Sequence, residues 1–277
     1  MIDNLKKIQK ILKNRGCYTG NIDAFMGAGT LKAIQNMDKA TAADLQRFLA
    51  ELSVYKGEID GIFGPASNRA FNSLLPAPVL NIARLKAIYP NADTKFVAFI
   101  NQYAAQYGIT TKAQLCGFLA QTIHESNGFR VLRENLNYSA KGLLKTFKKY
   151  FNQADAIKYA ALGPEAIANR VYGGRMGNGV HNGDGWRYRG GGAIQTTGRN
   201  NFSATGKAIN VDLINFPNKI TEPETAVKAA MYYWQSNGCG RHADGLQLTA
   251  LRESINNGTI GLAEANTLFV RAWAVLL

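Results

Sequence analysis

Apolar residues recur at three- and four-residue intervals along most of the chain, which is the spacing of amphipathic helices. Between residues 173 and 198 this pattern breaks, because ten of the 26 residues there are glycine. No run of alternating apolar and polar residues indicates a sheet. We therefore predict a mainly α protein with a long loop or short hairpin in its second half. The predicted helices after residue 80 cover about 81–89, 94–107, 111–127, 140–151, 222–237 and 262–275.

The first 75 residues contain an internal repeat. Shifting residues 8–37 by 37 positions lays them over residues 45–74 without a gap. Each copy predicts a helix, a Y-x-G-x-I-D turn, a glycine and a second helix that begins near Thr30 or Ser67. A unit this short buries little surface alone, so we expect the copies to pack on each other. The coinciding pairs include Gln9/Gln46, Tyr18/Tyr55, Ile22/Ile59, Asp23/Asp60 and Gly27/Gly64.

The segment LLPAPVL, residues 74–80, separates the repeat from the rest of the chain. Its two prolines block the continuation of a helix. We therefore predict a small helical domain over residues 1–75, a linker at 76–80 and a second domain over 81–277.

The chain carries a formal charge of +13. Residues 76–277 hold 22 basic and 12 acidic groups, so +10 of the excess lies there. Such a charge attracts polyanions, which include nucleic acid, anionic lipid and a bacterial envelope rich in phosphate and carboxylate. The basic residues are dispersed and no nucleic-acid-binding signature is present, so no nucleic-acid partner is expected. No GxxxxGK[ST] or strand-linked GxGxxG motif indicates nucleotide binding.

The cysteines and the hydropathy pattern bear on the compartment. Cys17, Cys116 and Cys239 are widely spaced and give no disulfide framework, which is typical of synthesis in a reducing cytosol. The start MIDNLKKIQK has no apolar signal-peptide core, and no uncharged apolar run approaches the roughly 20 residues that span a bilayer. We expect neither a conventional signal peptide nor stable membrane insertion.

The stretch HESNGFRVLRENLNYS, residues 124–139, carries the candidate chemistry. A zinc motif HExxH needs a second histidine at position 128, where this chain has glycine. A zinc site would have to gather His124, His181 and His242, or recruit Asp184 or Cys239. We therefore predict no metal and no cofactor.

The two glutamates of this stretch suit acid–base chemistry only if the helix stops between them. On one continuous helix, Glu125 and Glu134 would lie on opposite faces, about 13 Å apart along the axis. Asn127-Gly128 is a typical helix stop, after which the chain can fold back. A separation of about 6.5–9.5 Å leaves room for a water between acid and base. The alternative is that both carboxylates are solvated or paired with Arg130 and Arg133.

Four motifs follow one another along the chain: FLAQTIHESNGF, ENLNYSA, NRVYGGRMGNG…GDGWRYRG and IQTTGRNNF. Together they resemble glycoside hydrolase family 19, in the short-loop form found in bacteriophage endolysins, and the similarity covers about residues 80–277. The resemblance implies a mostly helical, lysozyme-like fold of two lobes. It also implies inverting hydrolysis of β-1,4 bonds in amino-sugar polymers, without a metal.

The resemblance also implies roles for individual residues. Glu125 matches the general acid, Glu134 the general base, and Thr197 a hydroxyl that helps hold the attacking water. Two departures affect substrate binding and local packing: Gly191 replaces the arginine of RGRG, and Thr196 replaces the usual leucine. The residues implied to bind substrate or line the cleft are His124, Tyr138, Arg189, Gln195, Asn201 and Asn256.

The repeat resembles the bacterial peptidoglycan-binding module, although Ala24 and Met26 depart from its frame in the first copy. Whether the repeat forms one module or two stays open, as does the alternative of a helical repeat used only for packing. The residues that the resemblance assigns to this module are Tyr18, Asp23, Tyr55, Asp60 and Phe63.

The two resemblances together predict an endolysin that acts as a monomer on bacterial peptidoglycan and cleaves it as a muramidase (lysozyme) during host cell lysis. Such a protein is expected in the host cytoplasm until holin-mediated release, and then in the periplasm and cell wall. The alternatives are a lytic transglycosylase, a chitinase on the same fold, and a non-catalytic wall-binding or phage structural protein.

Overall fold

A computed structural model describes residues 1–276, and the prediction of a mainly α fold is confirmed. Only isolated β-bridges, and no strand, occur within these residues. The chain forms two compact units. The first joins residues 1–124 with the chain from Trp234 onward, and the second comprises Glu125–Tyr233. No helix within the described residues is long and apolar enough to cross a membrane.

Residues 1–276 form sixteen α-helices, and two short 3₁₀ turns lie at Ala105–Tyr107 and Pro217–Thr221. In chain order the α-helices are α1 (Ile2–Asn14), α2 (Ala28–Asn36), α3 (Lys39–Glu51), α4 (Pro65–Ser73), α5 (Ile82–Ile88), α6 (Phe96–Tyr103), α7 (Lys112–Ser126), α8 (Ala140–Thr146), α9 (Gln153–Leu162), α10 (Pro164–Tyr172), α11 (Asp184–Arg187), α12 (Arg199–Ile209), α13 (Pro223–Ser236), α14 (Cys239–Asp244), α15 (Leu248–Asn256) and α16 (Leu262–Val275).

Two predicted helices are shorter than the apolar pattern suggested. The helix predicted over 140–151 ends at Thr146, and Asn152 caps α9 by accepting a 2.8 Å hydrogen bond from the Asp155 amide. The helix predicted over 94–107 is broken after Tyr103 and continues only as a 3₁₀ turn. A turn follows α8, in which the Tyr150 amide donates to the Phe147 carbonyl at 2.8 Å, and Gly108, with a φ of 73°, ends the 3₁₀ turn. Helices α9, α10, α11, α12, α14 and α15 were not predicted.

A buried glutamine organises each copy of the N-terminal repeat. The Gln46 side chain is fully buried, and its Nε2 donates to Asp60 Oδ1 at 2.9 Å and to the Ile62 carbonyl at 3.1 Å. Its Oε1 accepts from the Gly61 amide at 2.8 Å. The Gln46 amide holds the pKa of Asp60 below its usual value. One side chain thereby fixes the whole Y-x-G-x-I-D turn to the preceding helix.

The first copy repeats this arrangement. Gln9 Nε2 donates to Asp23 Oδ1 at 2.9 Å and to the Phe25 carbonyl at 3.1 Å, and Gln9 Oε1 accepts from the Ala24 amide at 2.8 Å. The two copies pack through α1 and α3, as the sequence predicted. An ion pair between Arg15 and Asp44, with Nε 2.9 Å from the carboxylate, also joins them.

The repeat is packed into the first unit. Asn72 Nδ2 donates to the Asp244 carbonyl at 2.8 Å, so α4 is tied to α14. The Lys112 ammonium donates to the Met26 carbonyl at 2.9 Å and lies 5.0 Å from the centre of the Trp273 ring. Residues 1–75 therefore share a core with helices from the other end of the chain. The division at residues 76–80 stays a prediction.

The second unit has two apolar cores. One lies under α8, α9 and α10 and includes Leu143, Phe151 and Ile167. The other surrounds α12 and includes Tyr188 and Phe202. Two residues of the glycine-rich segment contact these cores, since Trp186 packs against the first and Tyr188 belongs to the second.

Replacing Gln46 with leucine should destabilise the protein by about 2–4 kcal/mol, because the buried Gly61 amide and the Ile62 carbonyl lose their partner. Urea unfolding measures this free energy. The control is Gln35→Leu on an exposed helix face, where a change within about 0.5 kcal/mol is expected. Equal stability of the two variants would contradict the structural role of Gln46.

Lys112 should make stability depend on alkaline pH. Burial lowers the pKa of Lys112 to about 8, whereas an unfolded lysine titrates near 10.4. Between these values the unfolded chain binds more protons, so the free energy of unfolding should rise with pH, by about 2–3 kcal/mol. The rise should be absent in Lys112→Met and retained in the exposed control Lys95→Met. Parallel curves for parent and Lys112→Met would refute the prediction.

Candidate active site

Glu125 lies in the last turn of α7, where the sequence predicted the helix to stop. Asn127, Gly128 and Phe129 have φ values of 50°, 71° and 65°, so three successive residues are left-handed. The Ser126 carbonyl accepts from the Arg130 and Val131 amides, and its hydroxyl accepts from the Phe129 amide. This reversal prevents α7 from carrying Glu134 to its opposite face. Glu125 is half-buried, and its Oε1 is shielded from solvent.

A short backbone clasp positions Glu134. We use this name for the pairing of residues 132–134 with residues 190–192. The Glu134 amide donates to the Gly190 carbonyl at 2.9 Å, and the Gly192 amide donates to the Leu132 carbonyl at 2.9 Å. The Gly191 amide continues the ladder to the Thr196 carbonyl at 3.0 Å. Only the Gly191–Thr196 pairing lies within the glycine-rich stretch, for which the sequence predicted a long loop or short hairpin.

The Glu134 carboxylate is held by one donor on each oxygen. Oε1 accepts from the Tyr172 hydroxyl at 2.7 Å, and Oε2 accepts from the Gly190 amide at 3.1 Å. Burial, and then the hydrogen bond to Glu134, raise the pKa of Tyr172 above its usual value, so the phenol stays protonated and remains a donor. The carboxylate is therefore fixed in orientation while each oxygen keeps a second lone pair.

Tyr172 was missed by the sequence analysis. It stands in the quoted motif NRVYGGRMGNG, at the end of α10, just before two glycines. A polar aromatic residue at that position was the available signal. Its contact with Glu134, 38 positions away, exists only in the folded chain.

The glycines of the clasp allow no side chain. A Cβ on Gly190 would lie 2.8 Å from Gln195 Oε1 and 3.1 Å from Glu134 Cβ. A Cβ on Gly191 would lie 2.6 Å from Ile220 Cγ2 and 2.9 Å from Arg133 Nη1. Gly191, the departure from RGRG, thus lies where the side chains of Ile220 and Arg133 pack closely. The space that a side chain would need is already filled, partly by an arginine from the facing segment.

The Arg133 guanidinium connects two other segments of the chain through hydrogen bonds. Its Nη2 donates to the Pro217 carbonyl at 3.2 Å and to Asn218 Oδ1 at 3.1 Å, and its Nη1 donates to the Arg189 carbonyl at 3.4 Å. Burial lowers the pKa of Arg133 to about 10. These contacts differ from the ion pair with Glu134 that the sequence left open.

The IQTTG loop lies beside Glu134. Gln195 takes a left-handed φ of 56°, which is uncommon for a residue with a side chain, and its Oε1 lies next to Gly190. The Thr197 hydroxyl donates to the Gln195 carbonyl at 2.9 Å, and Asn201 Nδ2 donates to the Thr197 carbonyl at 2.8 Å. The structure thus brings Gln195 to Glu134 and lays Thr197 and Asn201 along the same loop.

Two further predicted residues also lie in the second unit. The Arg189 guanidinium stacks 3.4 Å above the Trp186 ring and donates to the Trp186 carbonyl at 2.8 Å. Tyr138 packs edge-on against Phe147, with ring centres 5.3 Å apart.

His124 and Asn256 lie together in the first unit. Asn256 Nδ2 donates to the Ile260 carbonyl at 2.9 Å, and its Oδ1 accepts from the Gly258 amide at 2.9 Å. His124 Nε2 would be 2.2 Å from a Cβ on Gly261, so its ring lies against the same turn. Their roles in substrate binding stay predictions.

The residues assigned to the wall-binding module have internal contacts. Tyr18 and Tyr55 donate from their hydroxyls to the Asn21 and Glu58 carbonyls, and Asp23 and Asp60 accept from the buried glutamines. Phe63 is half-buried. These contacts fix the turns, and binding by these residues stays a prediction.

No cluster of three or more His, Cys, Asp or Glu side chains suited to a metal ion is found across residues 1–276.

Comparison with known proteins identifies the family. The family model described as chitinase class I, for glycoside hydrolase family 19, matches residues 85–243. A glycosyl hydrolase family 19 domain-containing protein of Haemophilus influenzae is 38% identical over 190 residues, covering 66% of this chain and 90% of that protein. An acidic endochitinase of Petunia hybrida is 38% identical over 162 residues, covering 56% of this chain and half (50%) of the petunia protein.

Two solved structures are more distant. Chitinase C from Streptomyces griseus is 20% identical with a TM-score of 0.45, over 72% of this chain and 79% of that one. A bacterial family 19 chitinase is 18% identical with a TM-score of 0.46, over 71% and 96% of the two chains. Since the family model spans more than half of the 277 residues, this chain belongs to glycoside hydrolase family 19 and is a glycosidase.

Proposed function

We propose that this glycosidase hydrolyses the β-1,4 bonds of bacterial peptidoglycan by an inverting mechanism, with Glu125 as the general acid and Glu134 as the general base. The observation that carries the proposal is the Glu134 carboxylate, held between the Tyr172 hydroxyl and the Gly190 amide beside Gln195. A general base must point a lone pair at its water throughout the reaction, and two fixed donors maintain that orientation.

The proposed reaction is one displacement. Glu125 gives its proton to the leaving glycosidic oxygen while Glu134 takes a proton from a water molecule. The water attacks the anomeric carbon from the face opposite the leaving group, so the configuration inverts. The Thr197 hydroxyl donates to the Gln195 carbonyl, and its oxygen can still accept a hydrogen bond from that water.

The choice of peptidoglycan rests on the rest of the chain. Residues 1–75 carry the repeat that resembles a wall-binding module, and the chain has a charge of +13. Peptidoglycan bears carboxylates that attract such a charge, whereas chitin is uncharged. We propose a monomeric muramidase that lyses the host of a bacteriophage, held in the cytoplasm until holin-mediated release to the periplasm and wall.

Two other activities remain as candidates. Chitin hydrolysis is favoured by the match to a plant protein named as an acidic endochitinase. A lytic transglycosylase needs only one catalytic acid, so a second carboxylate with two dedicated donors favours hydrolysis over that reaction.

Mass spectrometry of digested sacculi tests the proposal. Hydrolysis by a muramidase should release fragments with reducing N-acetylmuramic acid ends, and NMR should detect the inverted anomer first. Products ending in 1,6-anhydro-muramic acid would establish a transglycosylase instead. Turnover of chitin oligomers without any release from sacculi would establish a chitinase.

Replacing either candidate carboxyl with its amide should nearly abolish activity. Glu125→Gln cannot donate the proton and Glu134→Gln cannot accept one, so kcat should fall about 10²–10⁴-fold in each. Dye release from labelled sacculi provides the rate. The exposed control Glu264→Gln should keep parental activity. Normal rates in either site variant, with the fold intact by circular dichroism, would remove that residue from the mechanism.

Tyr172→Phe should lower kcat about tenfold and leave KM nearly unchanged, because it removes an orienting hydrogen bond to Glu134 rather than a substrate contact. The acid limb of the kcat profile should also move to higher pH, since a donor to a carboxylate favours its ionised form. Tyr232→Phe, against the core around α12, is the matched control. A fall in kcat with an unmoved pH profile would indicate a purely structural role.

A further inference from the structure

A polar cavity of about 380 Å³ lies in the second unit, apart from the residues predicted to carry out catalysis. It is open to solvent and is lined by the glycine-rich loop around 177–184, Arg187 and Tyr188, the start of α12 and the segment at 214–215. Two arginines, Arg187 and Arg199, line it together with a single acidic residue, Asp184. The volume falls within the range of about 300–1,000 Å³ typical of small-molecule sites.

The carboxylate of Asp184, the acidic residue of the cavity, already accepts hydrogen bonds within the protein. The Asp184 side chain is only 5% exposed, and its Oδ2 accepts from the Gly179 amide at 3.0 Å and from Asn182 Nδ2 at 2.9 Å. Arg199 Nε stands 4.0 Å from the same oxygen, and 48% of the Arg199 side chain is exposed. Asp184 therefore offsets one arginine through a long ion pair and leaves the cavity with a net positive charge.

Arg187 supplies the uncompensated charge. It is exposed, and no hydrogen bond or ion pair joins its guanidinium to another residue of the described chain. An arginine guanidinium presents a planar fork of N–H donors that matches a carboxylate. Two such forks lining one cavity favour an anionic ligand with carboxylate geometry over a neutral sugar.

A path of hydrogen bonds connects the cavity to Tyr172, the residue that donates to the candidate base Glu134. The buried Asn178 accepts from the Arg199 amide at 2.8 Å through Oδ1 and donates to the Tyr172 carbonyl at 2.9 Å through Nδ2. Arg199 also follows Thr197 by two residues, a reach of about 7 Å at most. A polymer that contacts Thr197 therefore passes close to the start of α12.

We propose that this arginine-lined cavity binds carboxylate groups of peptidoglycan and makes the enzyme prefer peptidoglycan to chitin. The inference rests on the proposed function and names the part of the substrate that the cavity recognises. Free carboxylates occur on the stem peptides, and on the lactyl groups of muramic acid where the peptides are absent. Chitin offers neither group.

Kinetics of the double variant Arg187→Gln/Arg199→Gln test the proposal. The KM for native sacculi should rise roughly 3- to 10-fold, the effect of losing two solvent-exposed ion pairs. On sacculi whose carboxylates have been converted to methylamides, and on chitin hexamer, variant and parent should agree within about twofold. A matched control, Arg271→Gln/Lys95→Gln, removes the same charge from exposed positions of the first unit.

A further substrate distinguishes the two sources of carboxylate, the stem peptide and the lactyl group. Glycan strands stripped of peptides by an amidase keep only lactyl carboxylates. A KM effect on native sacculi that disappears on these strands assigns the ligand to the stem peptide, and one that persists extends it to the lactyl group. Equal KM values for the double variant and the control on native sacculi, or an equal loss on chitin hexamer, would overturn the proposal.

A binding measurement keeps this test independent of the reaction. Calorimetric titration of Glu125→Gln protein with a soluble stem peptide should detect binding that the two arginine substitutions abolish and the control pair preserves. No binding to either protein, or equal binding to both, would reject the cavity as a carboxylate site. If the parent binds the peptide but cleaves only chitin oligomers, the proposed function and the preference for peptidoglycan fail, while carboxylate binding by the cavity stands.

Discussion

The second unit depends on one constraint, the close approach of residues 132–134 to residues 190–192. The backbone hydrogen bonds of this clasp bring Glu134 to the IQTTG loop although the two are some 60 positions apart in the chain. Gly190 and Gly191 favour this approach, since an added Cβ would meet the side chain of Gln195, Ile220 or Arg133 at less than 3 Å.

The clasp also determines the electrostatics of the candidate base. It presents the Gly190 amide to one oxygen of Glu134, and the end of α10 presents the Tyr172 hydroxyl to the other. Asn178 in turn links the Tyr172 carbonyl to the first amide of α12. The orientation of one carboxylate is thus maintained by four separate segments, so its geometry is a property of the whole unit rather than of the ENLNYS motif.

In the N-terminal repeat, too, one polar side chain fixes a whole segment. A single buried glutamine in each copy satisfies an amide, a carbonyl and an aspartate of the following turn, because burial makes every unpaired polar group costly. Lys112 and Asn72 then join the repeat to helices from the far end of the chain. The aspartates and tyrosines that look like surface recognition residues in the sequence therefore also have structural contacts.

The sequence alone determined the helical class, the repeat and the stop of α7 after Glu125. It also carried the resemblance that makes Glu125 and Glu134 the candidate acid and base. These features are local: apolar spacing, glycine positions and short motifs act over a few residues. Tertiary structure decided that Arg133 clamps carbonyl groups, that Tyr172 donates to Glu134 and that Arg187 and Arg199 share a cavity. Each of these arrangements joins residues from separate segments of the chain. Only the packing of the two cores brings their side chains within hydrogen-bonding distance, or to the lining of one cavity.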